Sequence, residues 1–215
     1  MSKPARRESV FIDGPAGRIE ALIDAADQSD APVAVVCHPH PAHGGAMTNK
    51  VAYTLARAFQ LSGYHAVRFN FRGVGDSEGS YDEGIGERSD ALAVIDWARS
   101  HFGVETLAVG GFSFGSAIAL AAAQQRSVSQ LVLVAPPVGR ILDPQIRLPD
   151  GIPTMVVQGG QDAVVDPAAV RAWLDGQNVT AEVAWMEEAG HFFHGALPDL
   201  RSLLVDRITA VREQM

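Results

Sequence analysis

Residues 106–123, with the sequence TLAVGGFSFGSAIALAAA, place a G-x-S-x-G motif between an apolar run and a run of small residues. The apolar run at 106–110 predicts a β-strand, and the residues after it predict a helix over 114–125. On such a strand-to-helix turn the serine adopts a strained backbone, and a Cβ on either flanking glycine would collide with a neighbouring strand or helix. The turn lifts the Ser113 hydroxyl above the sheet edge, beside the N–H groups of a helix N-terminus, so Ser113 is a candidate nucleophile.

The alternation of strand and helix extends to both sides of this motif. Short strands at 9–12 and 18–23, joined by a tight turn, predict an N-terminal antiparallel hairpin. The apolar patterns predict further strands at 33–37, 66–71, 131–135, 154–158 and 181–186, and helices at 50–61, 86–100, 167–174 and 198–212. Strands that alternate with helices indicate an α/β fold with a mostly parallel central sheet of about eight strands and helices on both faces.

The length of the chain fits a single domain over residues 1–215. The one long irregular stretch, 136–151, is too short for a lid domain, so we expect any active site to be open to solvent. The sequence does not decide whether Trp173 and Trp185 lie in the core or on the surface, and it gives no oligomeric state.

A serine hydroxyl needs a base within hydrogen-bond reach, and that base needs an acid to orient it. Two loops that follow predicted strands carry these residue types. Asp162 follows the strand at 154–158, at the sheet edge where folds of this type bind ligands. His191 follows the last predicted strand and completes the chain order Ser, Asp, His. These two residues are therefore the candidate acid and base.

Each of these assignments has a rival nearby in the sequence. Asp166 directly precedes Pro167 and a helical run, so a helix N-cap explains it better than a catalytic role. His194 is the rival base. We prefer His191 because the preceding Gly190 suits a tight exit from the loop.

The sequence HPHPAH at 38–43 follows the strand predicted at 33–37. A serine nucleophile on this kind of turn uses one N–H from that loop and one from the residue after the serine, here Phe114, to bind the oxyanion. Pro39 and Pro41 have no N–H to donate. The backbone N–H of His40 is therefore the candidate second donor.

The histidines of this loop also permit a different chemistry. H-x-H-x-x-H after a strand resembles the first metal motif of metallo-β-lactamase-like hydrolases, where closely spaced imidazoles bind zinc. That motif has an aspartate where this sequence has Ala42, and it leaves Ser113 and its partners without a role. The serine-based interpretation is preferred, and with it no metal or organic cofactor is expected.

A glycine-rich segment, FRGVGDSEG at 71–79, follows another predicted strand. The third glycine of the dinucleotide motif G-x-G-x-x-G would fall at Glu78, so a dinucleotide site is not expected. We interpret the segment as a structural loop in which Arg72 pairs with a nearby carboxylate.

From about residue 33 to its C-terminus, the chain resembles the small lidless bacterial α/β-hydrolases related to esterases and dienelactone hydrolase. The motif RGVGDS at 72–77 is similar to the R-G-x-G-x-S loop of these proteins. The chain departs from the family at Pro39, where many members have glycine, and at Asn70, where many have aspartate. Dienelactone hydrolase has cysteine at the position of Ser113. The resemblance therefore implies an α/β-hydrolase fold with serine-esterase chemistry.

These residues predict a serine hydrolase that cleaves a carboxylic ester or thioester through an acyl-enzyme. Ser113 would attack, His191 would move the proton and Asp162 would orient the imidazole, while the amides of Phe114 and His40 would hold the oxyanion. The alternative from another class is a catalytically silent hydrolase-like fold that binds a small molecule or a partner protein. The complete set of Ser, Asp and His disfavours that alternative.

Composition narrows the range of partners. The 17 Lys and Arg against 25 Asp and Glu give a net charge of −8, without the basic stripe that a phosphate backbone requires. No apolar run approaches the roughly 20 residues that span a bilayer, and the polar N-terminus lacks the apolar segment of a secretory signal. The single cysteine, Cys37, cannot form an internal disulfide. We expect a cytoplasmic protein that acts on a small molecule and binds neither nucleic acid nor membrane.

Overall fold

The computed structural model describes residues 7–214. Within that range the chain forms eight β-strands and five α-helices. The strands are β1 (Arg7–Gly14), β2 (Gly17–Asp24), β3 (Val33–Cys37), β4 (His65–Phe69), β5 (Leu107–Phe112), β6 (Val128–Val134), β7 (Thr154–Gly159) and β8 (Glu182–Met186). The helices are α1 (Lys50–Leu61), α2 (Ile85–Phe102), α3 (Phe114–Ala123), α4 (Pro167–Asp175) and α5 (Leu197–Arg212).

Every predicted element is present, and the largest error in a boundary falls at the start of β6. This strand begins at Val128 rather than at 131, because its first residues pair with β5 through the register Ala108 to Gln130. Ser129 and Gln130 are polar, so the apolar run that marks the strand in the sequence begins too late. Pairing with a neighbour, rather than hydrophobic pattern, decides where this strand begins.

The strands form one sheet in the order β1-β2-β4-β3-β5-β6-β7-β8. β2 is antiparallel to both of its neighbours, and the other pairs are parallel, which confirms the predicted architecture. After β4 the chain crosses back over β3 to form β5, so the strand order reverses at β3. In open α/β sheets the crevice at such a reversal, beyond the carboxyl ends of the strands, is where ligands bind.

Helices cover both faces of the sheet, which is why the central strands are apolar without alternation. All of β3 is buried, and Val33, Val35 and Cys37 belong to the core beneath α2, α3 and α4. The intervening residues of β3 belong to the core beneath α1 and α5. Trp173 is buried in the first core and Trp185 packs partly buried against it, which answers the question that the sequence left open.

A buried ion pair ties the N-terminal hairpin to the parallel part of the sheet. Arg68 of β4 is 2% exposed, and its Nη2 lies 2.7 Å from Oδ2 of Asp24 at the end of β2. The same guanidinium donates to the Met47 carbonyl at 2.8 Å. Asp24 also accepts a bond from the exposed Arg7 at 2.8 Å. These bonds compensate for the removal of two charges from water.

The connection between β6 and β7, residues 135–153, contains neither helix nor strand beyond an isolated bridge between Val138 and Leu142. The described chain therefore carries no lid domain over the carboxyl edge of the sheet, as predicted. Among the helices of residues 7–214, none has both the length and the apolar character that crossing a bilayer requires.

Candidate active site

Ser113 occupies a sharp turn between β5 and α3, with a backbone φ of 53° and ψ of −123°. Residues other than glycine rarely adopt a positive φ, and surrounding contacts must hold them there. The Ser113 carbonyl accepts bonds from both the amide and the hydroxyl of Ser116. A Cβ at Gly111 would lie 2.1 Å from the Gly115 carbonyl oxygen, and a Cβ at Gly115 would lie 2.3 Å from that of Cys37. Both flanking positions therefore require glycine.

His191 lies between Ser113 and Asp162. Its Nε2 is 3.0 Å from the Ser113 Oγ, and its Nδ1 is 2.8 Å from the Asp162 Oδ2. An ionised carboxylate can only accept a hydrogen bond, so Nδ1 carries the proton and Nε2 is left as an acceptor for the serine hydroxyl. His191 and Asp162 are buried and Ser113 is partly exposed. This arrangement can pass a proton from the hydroxyl to the imidazole.

The Asp162 carboxylate accepts four hydrogen bonds. Oδ1 binds the amides of Val164 and Val165 at 2.8 and 2.7 Å, and Oδ2 binds His191 and the Gln158 Nε2, the latter at 3.0 Å. Burial by itself raises the pKa of Asp162. The bonds from His191 and the two amides together lower it by more than burial raises it, so the pKa lies below its ordinary value. The carboxylate is therefore ionised at neutral pH.

The backbone N–H groups of His40 and Phe114 are both without an acceptor among residues 7–214. Phe114 is the first residue of α3, where the N–H has no partner within the helix. His40 lines the same cavity as Ser113 and His191, and its ring lies 4.9 Å from that of Phe114. Both N–H groups are thus available to an oxygen atom of a bound molecule.

A family model described as the alpha/beta hydrolase fold matches residues 35–150, more than half of the chain. This chain belongs to the alpha/beta hydrolase family. An uncharacterised protein from Rickettsia prowazekii is 32% identical over 212 residues, which cover 94% of this hydrolase and 89% of that protein.

Two solved structures are similar to the hydrolase in both sequence and fold. An alpha-beta serine hydrolase homologue from Coxiella burnetii is 41% identical with a TM-score of 0.87, covering 95% of this chain and 99% of that one. A serine hydrolase without a lid from Xanthomonas campestris is 38% identical with a TM-score of 0.84, covering 96% and 95%. These similarities confirm the resemblance to small lidless bacterial α/β-hydrolases.

The rival residues of the sequence analysis lie away from the Ser113 hydroxyl of the hydrolase. Asp166 is the N-cap of α4, as predicted, and accepts the Ala168 amide at 2.9 Å. His194 is exposed, and its ring packs on that of Phe192 with 5.9 Å between centroids. Within the described residues the His194 imidazole forms no hydrogen bond.

The histidine cluster at 38–43 does not have the geometry of a zinc site. Both ring nitrogens of His38 bind backbone groups, at 2.6 and 3.0 Å. Those of His40 bind the Ala42 amide and the Tyr81 hydroxyl, each at 3.2 Å. In the part of the chain that the structure describes, no three His, Cys, Asp or Glu side chains are placed to hold a metal ion. The geometry therefore gives the metallohydrolase interpretation no support.

A cavity of about 110 Å³ lies beside Ser113 and opens to solvent. Phe192 and Val164, which are 45% and 39% exposed, give it an apolar rim. The Phe192 ring also packs edge-on against that of His191, at 5.0 Å between centroids. The remaining wall comes from the loop after β3 and the start of α1, with the residues Pro39, His40, His43, Gly44, Gly45 and Asn49.

Two polar side chains in the segment after β4 are held by hydrogen bonds to other parts of the fold. Arg72 forms bonds of 2.7 and 3.0 Å with the Asp90 carboxylate, which confirms the local pairing expected of it. Asn70, which stands where many relatives have aspartate, accepts the Met47 amide and donates to Glu20, at 2.8 and 2.7 Å. Neither side chain lines the cavity beside Ser113.

Two side chains that contact the site, Gln158 and Tyr81, are not predicted from the sequence. Gln158 is fully buried in β7 and donates to Asp162. The signal for it in the sequence is a polar residue directly after the apolar run at 155–157. Tyr81 contacts His40 from an irregular segment between β4 and α2, where no periodicity marks it. Only the folded chain brings Tyr81 to this loop.

Proposed function

We propose that this hydrolase is a serine hydrolase that cleaves a carboxylic ester or thioester through an acyl-enzyme intermediate. The observation that carries the proposal is the continuous chain of hydrogen bonds from Ser113 Oγ through His191 to Asp162, with distances of 3.0 and 2.8 Å. A hydroxyl, an imidazole and a carboxylate in this order are the parts that general-base activation of a serine requires.

In the acylation step, the Ser113 Oγ forms a bond to the carbonyl carbon of the substrate, and its proton passes to His191 Nε2. Asp162 stabilises the imidazolium that results. When the tetrahedral intermediate collapses, the bond from carbon to the leaving oxygen or sulfur breaks, and His191 Nε2 returns the proton to the alcohol or thiol. The acyl group remains on Ser113.

The negative charge that develops on the carbonyl oxygen in this step needs donors that are already in position. The N–H groups of Phe114 and His40, which have no acceptor within residues 7–214, fit this role, and the N-terminus of α3 adds a partial positive charge. Loss of one donor of this kind costs roughly 100-fold or more in kcat.

Deacylation repeats the same steps with water. His191 takes a proton from a water molecule, the water oxygen bonds to the acyl carbon, and the bond from that carbon to Ser113 Oγ breaks. Ser113 recovers its proton and the product is a carboxylic acid. The cavity is open to solvent, so water reaches the acyl-enzyme without movement of a lid.

Labelling with a fluorophosphonate probe, followed by identification of the modified peptide, tests this proposal. We expect an adduct at Ser113 and none there in Ser113→Ala. A wild-type protein without an adduct would support the silent binding fold instead. Ester hydrolysis that survives in Ser113→Ala and is lost on addition of a chelator would support metal chemistry.

A series of p-nitrophenyl esters of increasing acyl length addresses the substrate. The cavity of about 110 Å³ beside Ser113 favours short acyl groups over long ones. We expect kcat/KM to be highest for the acetyl to butyryl esters. A maximum at long chains would show that the apolar rim contributes more to binding the acyl group than the cavity does.

A further inference from the structure

Gln158 is the next-to-last residue of β7, four positions before Asp162, and its side chain is fully buried. A buried amide has two N–H donors and one carbonyl acceptor to satisfy. The residues that precede it in β7, at 155–157, are apolar and buried. An apolar side chain would therefore suit hydrophobic packing at position 158 better than an amide does. Its role therefore lies in the polar atoms that it contacts.

The hydrogen bonds of Gln158 fix the orientation of its amide. Nε2 lies 3.0 Å from Oδ2 of Asp162 and 3.3 Å from the carbonyl oxygen of Gly159. Both partners can only accept, so the NH₂ group must face them. The opposite orientation would place the amide oxygen against a carboxylate oxygen.

The other end of the same amide is unsatisfied. Oε1 of Gln158 is buried and has no hydrogen-bond partner among residues 7–214. A buried carbonyl without a partner destabilises the folded state, and such groups are uncommon in native proteins. Stability alone therefore does not favour glutamine at this position.

We infer that Gln158 is a positioning residue for the reaction, which acts by holding the Asp162 carboxylate in the orientation that His191 needs. This inference rests on the proposed function. Oδ1 of Asp162 is held by two backbone amides, whereas among residues 7–214 Oδ2 is held by His191 and Gln158 alone. The imidazole gains and loses a proton in every cycle, but the bond from Gln158 is present throughout. It keeps Oδ2 in place while the charge on His191 changes.

The substitution Gln158→Met tests this role, because methionine is close to glutamine in length and flexibility but has no amide. We expect kcat for p-nitrophenyl acetate to fall by about tenfold, as for other residues that orient a catalytic partner, with KM unchanged within twofold. We expect the melting temperature to change little, because the loss of the donor to Asp162 offsets the removal of the unpaired carbonyl. A residue that only supports the fold would show a lower melting temperature and no selective loss of kcat.

Gln161→Met is the matched control. Gln161 is exposed, and its side chain binds the Glu188 carboxylate rather than Asp162. We expect its kcat to equal that of the wild type. Gln158→Leu, a second apolar replacement, repeats the test if the methionine variant folds poorly.

The proton between His191 Nδ1 and Asp162 Oδ2 gives a readout independent of turnover. In ¹H NMR it resonates far downfield because it bonds to a carboxylate, and we expect Gln158→Met, but not Gln161→Met, to shift it. Full kcat and an unshifted resonance in Gln158→Met would overturn the inference. Failure of the wild type to form a fluorophosphonate adduct at Ser113 would instead overturn the proposed function on which the inference rests.

Discussion

The His38 side chain lies 2.6 Å from the carbonyl oxygen of Pro39, in the peptide whose N–H belongs to His40. A carbonyl only accepts, so Nδ1 of His38 donates, and Nε2 is left to accept the Phe71 amide at 3.0 Å. In a trans peptide the C=O and N–H point in opposite directions. His38 therefore fixes the direction of the His40 N–H, although proline replaces the glycine that is common at 39.

The buried His38 makes the fold sensitive to acid. Burial lowers the pKa of His38 from 6.5 to about 4, against a smaller opposing effect of its bond to Pro39. Between pH 6.5 and about 4, the His38 imidazole is protonated in the unfolded chain but neutral in the folded chain. The stability that the neutral imidazole allows is therefore fully present above pH 6.5 and is lost as the pH falls towards 4. We expect a loss of about 3 kcal/mol in the free energy of unfolding over that interval.

Urea unfolding at pH 7.5 and pH 4.5 measures this loss. In His38→Gln the pH dependence should be smaller by the contribution of this one imidazole. Equal pH dependence in the two proteins would contradict the assignment of the acid sensitivity to His38.

The choice between the two neighbouring histidines predicts a sharp difference in activity. His191 contacts Ser113 Oγ at 3.0 Å, whereas the exposed His194 does not contact the serine. We expect His191→Ala to lower kcat by about 10⁴-fold or more, because removing the base of such a set leaves only binding and oxyanion stabilisation. His194→Ala should retain the kcat of the wild type. Steady-state kinetics with p-nitrophenyl acetate compares them, and similar losses in both variants would argue against His191 as the base.

Phe192 is expected to affect binding rather than chemistry. Its ring is 45% exposed at the mouth of the cavity, where it offers apolar surface to an acyl chain. We expect Phe192→Ala to raise KM for a p-nitrophenyl hexanoate ester by about tenfold, which corresponds to roughly 1.4 kcal/mol of lost contact. KM for the acetate ester should change less.

Phe11→Ala is the control for Phe192, because Phe11 is also exposed but lies on the edge strand β1. It should leave KM for both esters unchanged. An equal rise in KM for acetate and hexanoate in Phe192→Ala would show that the ring does not contact the acyl chain.

The ion pair between Asp24 and Arg68 is expected to affect stability without affecting the site. Asp24→Ala would leave the Arg68 guanidinium, which is 2% exposed, as an uncompensated buried charge. We expect a loss of about 3–5 kcal/mol in the free energy of unfolding. The exposed pair of Asp96 and Arg126 is the comparison, and Asp96→Ala should cost less than about 1 kcal/mol. Urea unfolding measures both, and equal costs would contradict the role of burial.

Local pattern was sufficient for most of the fold. The bounds predicted for β3 and α1 agree with the structure at both ends, because each element has a continuous apolar run or a helical spacing with a clear start and stop. The predicted start of β6 is three residues too late. The segment with Ser129 and Gln130 joins the sheet by pairing with β5, and a hydrophobic pattern does not show which strands pair. The same reasoning applies to Gln158, whose role depends on a partner.

By itself, the sequence determined which loops hold the candidate residues, since a run of strands and helices brings the carboxyl ends of parallel strands to one edge. It could not determine which atoms meet there. Ser113 and His191 are 78 positions apart along the chain, and their contact depends on strand order, on register and on rotation of the imidazole. Those are properties of packing between distant segments, whereas backbone preference and hydrophobic period act over only a few residues. Tertiary structure therefore decided that His191 rather than His194 faces the serine, and that Gln158 donates a hydrogen bond to the Asp162 carboxylate.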